Sequence, residues 1–174
     1  MCGICGIFDT SGHSIQRETL HAMTYALRHR GPEDRGIWQE RGIGLGHARL
    51  SIIDLATGDQ PMCNEDASLW ISFNGEVFNY PQLLEELISR AHSFYTTTDT
   101  EVIVHLYEEM GPALFEKLNG QFAFAIWGAR KRRLLLGRDR VGIRPLFYTL
   151  NGQRLQFASE IKALFADARI NREL

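Results

Sequence analysis

Cysteine is scarce in this sequence of 174 residues: there are 3, an odd number that argues against a disulfide framework and leaves each thiol to be judged singly. Charge of one sign is lacking too. The 19 Lys and Arg stand against 21 Asp and Glu, for a formal net charge of −2, and no long run of one sign occurs. This excludes the basic footprint of a nucleic-acid binder and the basic patch of a membrane-surface protein; the Arg130 to Arg133 cluster reads as a solvated turn. No apolar stretch approaches the roughly 20 residues that span a bilayer. The N-terminus has neither a basic leader nor a signal-peptide core, so a cytoplasmic protein without a membrane partner is expected. Internal repeats, low-complexity tracts and a second domain are not visible. What remains, 44% hydrophobic and 23% charged residues, is the composition of one globular domain with a sizeable core.

The chain opens on Cys2-Gly-Ile-Cys-Gly-Ile-Phe8, apolar and interrupted by glycine, followed by a turn-like Asp9 to Gly12; this predicts a buried strand at the start. Leu20, Met23 and Leu27 recur at helical spacing and predict a helix over 15–27, ending before Gly31-Pro32. Strands are expected at 43–47, 50–53 and 69–73. Asn79 stands where it can cap a helix whose Leu83, Leu84, Leu87 and Ile88 share a face. Thr98 with Glu101 forms a capping-box pattern before Val102, Ile103, Leu106 and Met110, and Gly111-Pro112 closes that helix. Beyond Gly120, Phe122, Phe124 and Ile126 alternate with Ala123, Ala125 and Trp127, and further strands are expected at 134–136, 146–148 and 155–157. Asn151-Gly152 joins the last two as a hairpin. Many strands, few helices and no repeated strand-helix alternation point to the α+β class, with antiparallel sheets covered by helices.

Cys2 and Cys5 form a C-x-x-C, which elsewhere marks a redox pair or half of a zinc site. On a strand, positions three apart point to opposite faces and lie roughly 10 Å apart, too far for a disulfide or a shared metal, and no second paired motif supplies further ligands. Cys5 is expected to be a small buried hydrophobe. Cys2 differs, because removal of Met1 ahead of a small residue leaves its thiol beside a free α-amine. Such an amine titrates near about 7.7–8.0, so a useful fraction is unprotonated near neutral pH and can serve as base without a histidine.

Specificity comes from reading Cys2-Gly-Ile together with Arg28-His-Arg-Gly-Pro-Glu-Asp34, His47-Ala-Arg-Leu-Ser-Ile-Ile-Asp54, Phe73-Asn-Gly-Glu-Val-Phe-Asn79, Thr98-Asp-Thr-Glu-Val-Ile103 and Gly137-Arg-Asp-Arg-Val-Gly142. In this order the segments resemble the class II glutamine amidotransferases, and most closely the N-terminal domain of glutamine-hydrolysing asparagine synthetases. The resemblance covers essentially the whole chain. It implies a four-layer αββα N-terminal-nucleophile hydrolase fold with two stacked antiparallel sheets, and hydrolysis of L-glutamine to L-glutamate and ammonia.

Residue by residue, the resemblance makes Cys2 the nucleophile, attacking the side-chain amide to form a glutamyl thioester, with its α-amine as acid and base. Asn74 and Gly75 match the oxyanion donors, through a side-chain amide and a backbone N–H. On residue identity alone Asn74-Gly75 would be a hairpin turn like Asn151-Gly152. Arg49 matches the clamp on the glutamine carboxylate, and Asp99 with Glu76 the contacts to its ammonium. Taken alone, Arg49 would be a surface ion pair and Asp99 a helix-capping residue. Leu50 and Ile52 match pocket contacts, and Arg30-Gly31-Pro32 a loop that folds over bound glutamine.

The Ser-Gly-Gly-x-Asp-Ser phosphate loop that the resembling synthetases carry in a second domain does not occur here. Residues 1–174 are therefore expected to be the amidotransferase domain alone, with no metal and no cofactor of its own. ATP and Mg²⁺ would belong to a synthetase domain or subunit that receives the ammonia. The surface facing that partner should carry an exposed apolar patch, and the resemblance leaves room for a homo-oligomer. Two other readings stay open at this point: a non-catalytic glutamine-binding or regulatory module, and an amidase of the same fold acting on another amide.

Overall fold

The computed structural model describes residues 1–50 and 58–170. Within them the elements run β1 (Gly3–Asp9), α1 (Arg17–Ala26), β2 (Asp34–Glu40), β3 (Ile43–Arg49), β4 (Met62–Cys63), β5 (Leu69–Val77), α2 (Tyr80–Ser89) and α3 (Asp99–Met110). A 3-10 turn (Gly111–Glu116), β6 (Gly120–Gly128), β7 (Arg133–Arg138), β8 (Phe147–Asn151), β9 (Arg154–Ala158) and the short α4 (Ile161–Leu164) follow. The strands form two sheets, ordered β2-β3-β1-β9-β8 and β4-β5-β6-β7, and every pairing is antiparallel. Helices α1 and α4 pack on the first sheet and α3, with α2 against it, on the second, while β1 and β3 face β5. The result is the four-layer αββα arrangement.

The layering explains the pattern of β6. A strand in the middle of four layers is covered on both faces, so both of its side-chain sets must be apolar. Phe122, Phe124 and Ile126 pack with Val102, Ile103 and Leu106 in the cluster beneath α3. Ala125 and Trp127 turn the other way, into a cluster with Leu45 and Phe157 of the first sheet. Each fully buried Phe or Ile contributes on the order of 1.5–3 kcal/mol, so this strand is the anchor of the second sheet.

Several details differ from the pattern-based expectation. Strand β2 was not foreseen: Asp34–Glu40 lies at a sheet edge and has no fully buried residue, its ends being exposed and its middle half-buried, so its sequence shows little alternation. Strand β5 runs past 73 through Asn74, Gly75 and Glu76 to Val77. The Asn79 side chain makes no cap bond; it donates to the Lys117 carbonyl and accepts from Asn119 N–H, both at 2.9 Å, and so pins the turn before β6. Ile88 is exposed, so the buried face of α2 is narrower than four residues. Thr98 does accept the Glu101 N–H, at 3.3 Å, but the Glu101 carboxylate reaches the N–H groups of Tyr95 and Thr96 instead of closing the box. The strand expected at 50–53 falls, beyond Leu50, outside the described residues.

Candidate active site

Where the chain starts, Cys2 precedes β1 and its Sγ sits against the backbone of Leu50, accepting the N–H at 3.3 Å and facing the carbonyl at 3.5 Å. The Cys2 carbonyl accepts from Arg30 Nε at 2.9 Å, and Arg30 Nη1 reaches Glu160 at 3.1 Å. Burial works against the charge of Glu160, but donations from His29, Lys162 and Arg30 outweigh it and hold its carboxyl down at about 2. Arg30 is thus bound to the start of β1. Gly31 is equally fixed: a Cβ there would fall 2.2 Å from the Ala48 carbonyl. Arg30 and Gly31 are thus anchored beside the start of β1, outside the lining of the cavity next to Cys2. All three cysteines are free thiols. Cys5 is fully buried against Thr24, and that burial pushes its thiol up to about 12, as inert as expected.

A cavity of about 90 Å³ opens beside Cys2, and Arg49, Leu50, Asn74, Gly75, Glu76 and Asp99 all line it. Residues spread over nearly a hundred positions are brought together because β3 and β5 face each other across the two sheets and α3 begins at the end of β5. Ile52 lies outside the described residues. Glu76 is exposed at the rim, whereas Asn74 and Asp99 are buried.

The free edge of β5 carries the chemistry. β4 pairs only with Trp70 and Ile71, so beyond it the outward backbone groups of β5 need other partners. Phe73 N–H donates to Gln60 Oε1 at 2.7 Å and its carbonyl accepts from His47 Nε2 at 3.0 Å. Val77 N–H donates to Asp99 Oδ2 at 2.9 Å. Phe73 and Val77 therefore direct these groups away from β6, and alternation along an antiparallel ladder places Gly75, midway between them, in the same orientation. The partner of Gly75 across the ladder, Phe122, spends its own N–H and carbonyl on Asp139. The Gly75 N–H thus faces the cavity. Next to it, the Asn74 side chain is 1% exposed and its Nδ2 has no hydrogen-bond partner among the described residues. A buried amide donor with nothing to donate to costs about 1–3 kcal/mol, and both residues line the cavity.

Charges of both signs flank them. Arg49 is 8% exposed and its Nη1 pairs with the exposed carboxylate of Asp59 at 2.5 Å, so it is a buried cation on the cavity wall and not a surface pair. Asp99, first residue of α3, has its carboxyl pushed up to about 6, chiefly by burial and further by the nearby Glu76, against the donation from Val77.

Sequence reasoning overlooked His47, Gln60 and Arg144. Burial pushes His47 down to about 4, so its ring is neutral at physiological pH, and the contact to the Phe73 carbonyl puts the proton on Nε2. His47 and Gln60 together hold the backbone of Phe73 immediately before Asn74. The amide of Gln60 also donates to Thr100 at 3.2 Å, tying β5 to α3. Arg144 lines the cavity, touches the Met1 sulfur and has a buried Nε without a hydrogen-bond partner among the described residues. Its loop is shaped by Asp139, which accepts from Ile143 and Arg144 N–H at 2.9 and 3.0 Å. Burial opposes charge on Asp139, but these donations hold its carboxyl below the usual range. The Gly137 to Gly142 segment was the available signal for this loop.

Comparison with known proteins points one way. A family model described as a glutamine amidotransferase domain matches residues 1–174. Glutamine-hydrolysing asparagine synthetase 2 of Bacillus subtilis is 44% identical over 176 residues, covering 99% of this chain and 23% of that protein. Asparagine synthetase B of Escherichia coli K12 is 40% identical over 176 residues, covering 99% and 31%. Among solved structures, the glutamine phosphoribosylpyrophosphate amidotransferase of B. subtilis, complexed with ADP and GMP, superposes with a TM-score of 0.78 at 25% identity over 95% of this chain and 43% of its own. The chain thus spans less than a third of the length of these two curated relatives.

Proposed function

The chain belongs to the class II glutamine amidotransferase domain family, and on that premise we propose that it hydrolyses L-glutamine to L-glutamate and ammonia with the thiol of Cys2 as nucleophile. The observation that carries this reading is the pair of donors beside Cys2: the buried Asn74 Nδ2, without a hydrogen-bond partner among the described residues, and the cavity-facing N–H of Gly75. As sulfur attacks the side-chain carbonyl carbon its proton passes to the Cys2 α-amine, a C–S bond forms and negative charge appears on oxygen, where such donors act. Collapse breaks the C–N bond, and the leaving nitrogen takes a proton from the Cys2 α-ammonium and departs as ammonia. Water, deprotonated by the same amine, then cleaves the thioester and releases glutamate and thiol. The amine exists only after Met1 is removed, so the reading requires that processing.

Arg49 and Asp99 supply what a free amino acid needs, a cation for its carboxylate and an anion for its ammonium. The thiol chemistry asks for no metal or cofactor. Val141, Ile143, Tyr148 and Leu150 form an exposed apolar stretch around Arg144, which reaches the cavity. We assign this face to a synthetase-type domain or subunit that takes the ammonia into ATP-dependent asparagine formation in the cytoplasm. The ATP and Mg²⁺ belong to that partner. The test compares ammonia release from L-glutamine and from N-acetyl-L-glutamine by the Met1-processed chain and by its Cys2→Ala variant. Turnover of glutamine alone, lost in the variant, is expected. Equal turnover of the acylated substrate would point to another amide, and glutamine binding without turnover to a regulatory module.

A further inference from the structure

Away from the cavity, the later turns of α3 carry a second constellation that glutamine hydrolysis does not use. His105 and Glu108 stand one turn apart on α3, and His92, from the segment after α2, comes against them. The three ligating atoms form a compact triangle: His92 Nδ1 to His105 Nδ1 3.2 Å, His105 Nδ1 to Glu108 Oε2 2.7 Å, and His92 Nδ1 to Glu108 Oε2 3.5 Å. The outer atoms face further polar groups. His92 Nε2 lies 2.9 Å from Glu109 Oε1, His105 Nε2 faces the fully buried Glu101 carboxylate at 3.8 Å, and Glu108 Oε1 accepts from Asn64 at 2.6 Å. Glu109 draws the ring proton of His92 to Nε2, while His105 Nε2 has no hydrogen-bond partner among the described residues, the Glu101 carboxylate lying 3.8 Å away. With the ring protons on Nε2, two Nδ1 lone pairs and a carboxylate oxygen converge on one point, where a cation can take the place of a proton between His105 Nδ1 and Glu108.

We propose that His92, His105 and Glu108 bind one transition-metal ion, zinc in its chemical class. Two imidazoles and one carboxylate are a donor set that zinc accepts, and tetrahedral bonds of about 2.0–2.1 Å separate ligand atoms by roughly 3.3 Å, a value the three edges bracket. The outer carboxylates are those that orient metal-bound histidines. His105 is fully buried, which fixes one ligand, while the Glu108 side chain is a quarter exposed and borders a surface groove with Asp66 and Tyr107, which opens the position to exchange. The ion would staple the segment after α2 to the helix that begins with Asp99. The site shares no residue with the glutamine cavity, so it stands or fails apart from the proposed activity.

The experiment uses untagged, chelator-stripped protein with Cys2→Ala and Cys63→Ser, which removes the two thiols that are not fully buried. It is titrated with Zn²⁺ in competition with a chromophoric chelator, and separately with Co²⁺. The expected result is about one equivalent of Zn²⁺ and a tetrahedral Co²⁺ absorption band, with binding weakened at least about tenfold in both His92→Gln and Glu108→Gln. Binding that is absent in the parent, or unchanged in either variant, overturns the proposal. Should a variant misfold, the parent alone decides: its thermal midpoint must rise with Zn²⁺ and not with Mg²⁺, and a midpoint indifferent to Zn²⁺ overturns the site.

Discussion

The dipeptide Asn-Gly occurs at 74–75, 119–120 and 151–152, and the first and last copies share only their composition. Asn151-Gly152 turns the β8–β9 hairpin: Gly152 has φ +59°, and a Cβ there would meet nothing within 4 Å. Asn74-Gly75 lies inside β5, with Asn74 1% exposed and a Cβ on Gly75 placed 2.3 Å from the Gln121 carbonyl. At the hairpin glycine is needed for its backbone angle; in β5 it is needed so that β6 can approach while the strand edge stays open. The dipeptide therefore means nothing by itself. Its surroundings decide whether it ends a strand or arms one.

Substituting the two asparagines gives the sharpest contrast. Asn74→Ala should lower glutaminase kcat by on the order of 100- to 1000-fold with little change in the unfolding midpoint, because the lost amide has no partner among the described residues. Asn151→Ala should leave turnover within about twofold, as expected of an exposed turn residue; similar losses in steady-state assays of both would erase the distinction.

Next come the glycines. Gly75→Ala must push β5 from β6 and should cost about 1–3 kcal/mol, read by denaturant unfolding, together with activity.

The third prediction concerns charge beside β5, which has no counterpart at the hairpin. Asp99 is pushed up to about 6 by burial, so the carboxylate needed for the substrate ammonium is lost as pH falls through 6, and kcat/KM should drop below that pH. The sign for stability is the reverse of a salt bridge: ionising Asp99 penalises the fold increasingly from its ordinary value near 3.8 up to about 6 and fully above. Asp99→Asn should therefore remove both the acid limb of the rate profile and this loss of stability, measured by rate and unfolding curves from pH 4 to 8.

The smallest effect is at the hairpin: Gly152→Ala should cost about 1–2 kcal/mol for a side chain at positive φ and leave kcat unchanged.

Much of this could be read from residue order. The alternation in β6 revealed a strand covered on both faces, and the strand spacing of Cys2 and Cys5 separated a buried thiol from one on the cavity. The roles of His47, Gln60 and Arg144 were not legible, because they arise from contacts that exist only once β3 faces β5 and the Asp139 loop closes over the start of β1. Asn79 misled for a related reason: its local cap position was overridden by partners at 117–119. On residue identity alone Arg49 and Asp99 looked ordinary; the resemblance singled them out, and both are buried on the cavity.

Covalent capture at Cys2 is the direct test of the chemistry. The chain is incubated with a diazoketone analogue of glutamine, then digested and sequenced by mass spectrometry while residual glutaminase activity is followed. One label on a peptide that begins at Cys2, rising in step with inactivation and slowed by L-glutamine, is the expected result. Label on Cys5 or Cys63, or on a peptide that still begins with Met1, or full activity after labelling, would contradict it.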